Sequence, residues 1–155
     1  PELKRIKYYI IHRYSRMGDS VAELKSSLNC LLRSTQVHAF QKELKKLKTH
    51  GNFNKNSNLK FLHPFIRDGL IYVGGRLNLA THLSYQQRHP IILPAKHKLT
   101  ELIIRHYHYV NLHAGPQALL AEIRLNFLPF FGKNTIKKIL HKCIVYFRCG
   151  PRTGH

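Results

Sequence analysis

The sequence predicts a mainly helical α+β chain: helices first, then a linker, a few short strands, and a small three-helix unit at the end. Three observations carry this prediction. Apolar residues recur at helical spacing in both halves, two short apolar runs in the middle are bounded by glycine or proline, and a polar stretch rich in Asn and Gly lies between the first helices and the strands. With 155 residues, 43% of them hydrophobic, the chain can bury one core and carry a smaller appendage.

Leu3, Ile6, Ile10, Tyr14 and Met17 line one face of a helix expected over 3–16, and Gly18 with Asp19 breaks it. Ser20, with Glu23 three residues later, has the form of a capping box. It predicts a second helix from about Val21 to about Leu47, striped by Leu24, Leu28, Leu31, Leu32, Phe40, Leu44 and Leu47. Lys42, Lys45, Lys46 and Lys48 crowd its end, where cations suit the helix dipole; the same cluster also reads as a binding or import signal. These helices form a connecting region over 1–48, and 49–61 is the expected linker and domain boundary.

Over 62–98 the runs Gly69 to Leu77 and His89 to Pro94 predict short strands of one small sheet. Over 99–155 three helical stripes follow: Leu99, Leu102, Ile103, His106, Tyr107 and Val110; then Leu119, Leu120, Ile123 and Phe127; then Ile136, Ile139, Leu140 and Cys143. A hairpin leading into a three-helix unit is the expected second half.

Lys and Arg number 26 against 7 Asp and Glu, a formal net charge of +19. Such an excess points to a polyanionic partner, nucleic acid before others, although a basic face can also be merely solvated or balance acidic segments elsewhere in a longer chain. No apolar stretch reaches the length of a membrane span, and no membrane partner is expected. Three cysteines, Cys30, Cys143 and Cys149, are too few for a disulfide scaffold, which favours a nuclear or cytoplasmic setting over secretion. The sequence starts at Pro1 and shows no signal peptide, and it reads as a fragment.

One constellation carries chemistry. His108 and His113 are separated by four residues, and Cys143 follows after 29 more. Two imidazoles and a thiolate suit the borderline-soft zinc ion, and metal binding would supply folding free energy to three short helices that bury little surface alone. The fourth ligand is the problem: Tyr146 stands where a Cys-x-x-Cys pair would end, and Cys149 is the nearest substitute. The set is therefore incomplete, either three ligands with an open position or a site closed by Cys149. The bland reading makes Cys143 a small buried hydrophobe on its stripe, and His106 a packed residue on the apolar face.

The segments Asp68 to Leu77, His89 to His97, Ile103 to Gln117 and Ile136 to Cys149 together resemble the Pol polyprotein of BEL/Pao-type LTR retrotransposons. The resemblance implies that 99–149 is an integrase zinc-binding His-His-Cys-Cys domain, with His108, His113, Cys143 and position 146 as ligands. That position is a cysteine in the family, so Tyr146 is a departure. Phe127 matches an aromatic pair whose second member, a Trp, is Leu128 here. Both losses fit a degenerate or domesticated copy.

Catalysis is not expected. Integrase chemistry needs three carboxylates holding two metals, and the seven acids of this chain are scattered. No phosphate loop and no nucleophile elbow occur. The expected role is contact with nucleic acid, DNA foremost, through Lys133, Lys137, Lys138 and Lys142, extended by Arg148 and Arg152, in support of integrase assembly. The alternatives are a protein interaction module, forming a homo-oligomer or binding a downstream integrase core, and a remnant without function.

Overall fold

The computed structural model describes residues 21–50, 58–75 and 82–145. The helix expected over 3–16, and most of the expected linker, lie outside these residues.

Helix α1 (Val21–Ala39) starts where the capping signal places it, with Glu23 in its first turn, and α2 (Gln41–His50) follows. The single helix expected over about 21–47 is thus two, divided at Phe40. Backbone bonding continues through the division: the Phe40 N–H donates to the Gln36 carbonyl at 2.8 Å, and the Leu44 N–H to the Phe40 carbonyl at 2.9 Å. The cause is tertiary, because Phe40 is buried with Leu59, Ile71 and Ile92 and meets the Phe130 ring edge-on at 6.5 Å.

A 3-10 turn (Asn58–Leu62) leads into strands β1 (Phe65–Arg67) and β2 (Leu70–Tyr72), an antiparallel hairpin. Its two-residue turn is Asp68 and Gly69, with φ of 51° and 75°. Asp-Gly is favoured there because both central positions of the tight hairpin turn need positive φ. The run from Gly69, expected as a strand, therefore begins in the turn. Helix α3 (Tyr85–Arg88) opens with a capping box between Ser84 and Gln87, and β3 (Ile91–Leu93) lies inside the expected second run.

Helices α4 (Lys98–Val110), α5 (Pro116–Ile123) and α6 (Gly132–Leu140) match the three predicted stripes in number and order. Phe127 departs from its stripe. It begins strand β4 (Phe127–Pro129), which pairs in parallel with β3. The ladder is held at both ends, by the Ile91 N–H to the Asn126 carbonyl at 3.0 Å and the Phe130 N–H to the Leu93 carbonyl at 2.8 Å. A buried residue four places after Ile123 satisfies helical spacing and also the turn into a strand, so periodicity alone cannot separate them.

The sheet order is β1-β2-β3-β4, and both its faces are covered. Side chains alternate across a strand, so Leu70 and Leu93 join the cluster built by α4, α5 and α6, while Ile71 and Ile92 join Phe40 and Leu59. Leu32 of α1 belongs to the larger cluster, so one core crosses the boundary expected at 49–61. Gln36, 1% exposed, completes the junction. Its amide accepts from the Ile71 N–H at 2.8 Å and donates to the Ile71 and Ile92 carbonyls at 3.0 and 2.8 Å. It substitutes for ladder bonds where β2 and β3 pair only at Tyr72 and Ile91. The described residues form a mixed α/β structure, mostly helical, and no helix among them is long and apolar enough to cross a membrane.

Candidate metal centre

The spacing of the two histidines is the spacing of a helix stop. At the end of α4 the Leu112 N–H donates to the Tyr109 carbonyl at 3.2 Å and the His113 N–H to the His108 carbonyl at 2.8 Å. This pair of bonds is a Schellman motif, and its longer bond joins residues five apart. His108 and His113 are the two ends of that bond. Such a turn needs a left-handed residue after the cap, usually Gly; here Leu112 (φ 50°) and then His113 (φ 61°) both adopt that region. Holding non-glycine residues there costs about 1–2 kcal/mol each, and the result is that the His113 ring turns back onto His108, edge to face at 4.8 Å.

Cys143 arrives from the opposite side. Helix α6 buries Ile136 and Leu140 against the core and then turns, with the Cys143 N–H donating to the Leu140 carbonyl at 2.8 Å. The thiol ends 3.3 Å from His113 Nδ1, which is itself 3.2 Å from His108 Nε2. The ligand atoms of His108, His113 and Cys143 all lie within 4.8 Å of one another. The reading of Cys143 as only a small buried hydrophobe fails on this point: the residue is half-buried and its sulfur faces the two imidazoles. His106 is half-buried against Tyr107 and lies outside the group.

His108 Nδ1 is 3.1 Å from the Ala114 carbonyl, which can only accept, so Nδ1 carries the proton and the neutral ring presents a bare Nε2. Burial holds the His108 pKa below its ordinary 6.5; the Ala114 hydrogen bond opposes this and the neighbouring His113 reinforces it. The bare Nε2, the His113 Nδ1 and the Cys143 sulfur lie together, joined by hydrogen bonds whose ring and thiol hydrogens a metal ion would replace. A cation serves all three. Zinc bonded at about 2.0–2.1 Å to nitrogen and 2.3 Å to sulfur sets tetrahedral ligand atoms about 3.3–3.6 Å apart, close to the 3.2 and 3.3 Å on either side of His113 Nδ1, with all three ligand atoms within 4.8 Å of one another. The Ala114 carbonyl also supplies the outer hydrogen bond that fixes the tautomer of a ligating histidine. The residues fit a metal ion, with three ligands among those described. Tyr146 and Cys149, the candidates for the fourth, lie outside the described residues.

A cleft of about 400 Å³ opens beside the three ligands and is lined also by Glu101, Arg105 and Lys142. Glu101 accepts from Lys98 Nζ at 2.9 Å and faces Arg105 Nη1 at 3.7 Å, and the Lys98 hydrogen bond first of all holds its carboxyl below the usual range. Neither Glu101 nor Arg105 was marked by the sequence pattern. Their one signal was position: three, four and seven residues separate Glu101, Arg105 and His108, so they stack on one side of α4.

The basic face of α6 is as the stripe predicts. Lys133, Lys137, Lys138 and Lys142 are exposed, opposite buried Ile136 and Leu140, and none is in an ion pair among the described residues. Arg148 and Arg152, expected to extend that face, lie outside the described residues. Compared with known proteins, the chain matches no family profile, no curated protein and no solved structure, so the chemistry of the site rests on its own geometry.

Proposed function

We propose that this chain is a non-catalytic, nucleic-acid-binding piece of an LTR retrotransposon integrase, of the BEL/Pao type its sequence resembles. A zinc ion held by His108, His113 and Cys143 ties the end of α4 to the end of α6. The observation that carries this reading is the position of the three ligands at the foot of the helix that presents Lys133, Lys137 and Lys138, with Lys142 in the turn just after it. Fixing that foot fixes the angle at which four cations meet a phosphate backbone. Zinc supplies the clip; the lysines supply affinity without sequence preference, since phosphate contacts position a protein and carry no base information. The chain does no chemistry in this reading and supports assembly of a larger integrase on DNA.

Fluorescence anisotropy with a labelled DNA duplex tests it. Each phosphate contact contributes about 0.9 to the slope of log K against log salt. Replacing Lys137, Lys138 and Lys142 by Gln should lower the slope by about 2–3. A slope unchanged by the triple substitution would remove α6 from the interface.

A second reading, a protein interaction module, is favoured by the apolar residues exposed around the same centre, with Tyr109 at 69%, Leu112 at 89% and Ile144 at 67%. Association through these side chains should strengthen or hold in salt that weakens DNA binding. Sedimentation at two salt concentrations, with and without DNA, separates the two.

A further inference from the structure

The three ligands form one wall of a cleft whose other polar groups are out of charge balance. Among the described residues Arg105 and Lys142 line it against a single carboxylate, Glu101, and that carboxylate already accepts from Lys98 and faces Arg105. Adding a divalent ion and one thiolate leaves the cleft with an excess of positive charge. Among the described residues three side chains can ligate a metal, and a cavity opens beside them; three protein ligands with an accessible cavity are the layout of a site that takes a ligand from outside, whereas closed structural sites use four side chains. The cleft volume of about 400 Å³ is more than ten times the roughly 30 Å³ share of one water.

Resting on the metal reading above, we infer that the fourth position receives a phosphate oxygen from outside the chain, with Arg105 and Lys142 as its flanking cations. A phosphate suits them because a guanidinium can donate two parallel hydrogen bonds to one phosphate, and Lys142 adds a point charge. Glu101 has a definite part. At 3.7 Å from Arg105 Nη1 it keeps that guanidinium at the cleft, as a positioning residue that does not itself reach the ligand trio. The phosphate can be free inorganic phosphate or the terminal phosphate of a nucleic-acid strand, which would place a strand end beside the basic face of α6.

Cobalt(II) loaded into the full chain reports on this directly, because its visible absorption changes with the fourth ligand. Titration with sodium phosphate should shift the band saturably. Arg105→Gln and Lys142→Gln should each weaken the phosphate Kd about tenfold, the loss of one charge-assisted contact, and Cys149→Ser should leave the band unchanged. A 5′-phosphorylated oligonucleotide that shifts the band where its 5′-hydroxyl twin does not identifies a strand end as the source; a response to inorganic phosphate alone identifies the free ion. A band indifferent to phosphate overturns the inference, and if Cys149→Ser then alters it, the chain closes its own site and the metal reading stands. Failure to take up cobalt at all overturns the metal reading, and the inference with it.

Discussion

Helix α4 carries a histidine at each end, and the two ends use the same side chain in opposite ways. At the start, His97 is the N-cap: its Nδ1 accepts from the Leu99 N–H at 3.1 Å and lies 3.5 Å from the Thr35 hydroxyl of α1. A lone pair there meets backbone donors that would otherwise go unmet. At the far end His108 gives its proton to the Ala114 carbonyl and aims its lone pair at His113 and Cys143, where no backbone donor waits. One end is finished by a backbone donor of its own helix, and the other gathers three side chains close enough to hold a metal ion. The difference teaches that a histidine's role is set by what faces its bare nitrogen, since burial lowers the pKa at both ends alike.

The comparison breaks most sharply with metal. Saturating zinc, at a hundred to a thousand times its Kd, should stabilise the chain by about 3–4 kcal/mol, and a chelator should reverse it. Cys143→Ser should lose that gain while His97→Asn keeps it, as read by thermal unfolding with and without zinc. Equal responses from the two variants would erase the distinction between the ends.

Next in size is acid. His97 is held below its ordinary 6.5, by burial first and by His38 second. The folded state therefore resists protonation where the unfolded chain accepts it, so the stability is present above about 6.5 and is lost as pH falls through that value toward the depressed one. Protonated Nδ1 can no longer accept from Leu99, and the cap is worth about 1 kcal/mol. Urea midpoints at pH 7 and 5 with chelator present should show a smaller acid loss in His97→Asn, which caps without titrating.

The smallest effect sharpens the other end. Leu112 is 89% exposed and left-handed, so its side chain contributes little packing and its backbone is strained. Leu112→Gly should relieve about 1 kcal/mol of that strain, offset in part by the entropy glycine loses on folding, without changing zinc stoichiometry by native mass spectrometry. Destabilisation by more than about 1 kcal/mol would mean that Leu112 does more than close the turn.

Legibility followed distance along the chain. The start of α1, the three helical stripes and the exposed lysines of the last helix were all readable, because each is settled within a few residues, whereas the Asp68-Gly69 turn was absorbed into an expected strand. His108 and His113 were readable as a pair for the same reason: their spacing is that of the hydrogen bond ending α4. Cys143 could be nominated only by its chemistry and by the family resemblance. Its approach to His113 spans 30 residues and depends on how α5 and α6 pack.

What the sequence determined alone was therefore periodicity, turn chemistry, charge and the types of ligand available, all consequences of local backbone and side-chain preference. Only the tertiary structure decided that α1 and α2 divide at Phe40, that Phe127 leaves its stripe to pair with β3, and that Gln36 bridges two strands. It also brought Arg105, Lys142 and Glu101 to the cleft beside the three ligands. Each of these depends on which surface meets which, and burial against a partner remote in sequence outweighs local propensity when the two disagree.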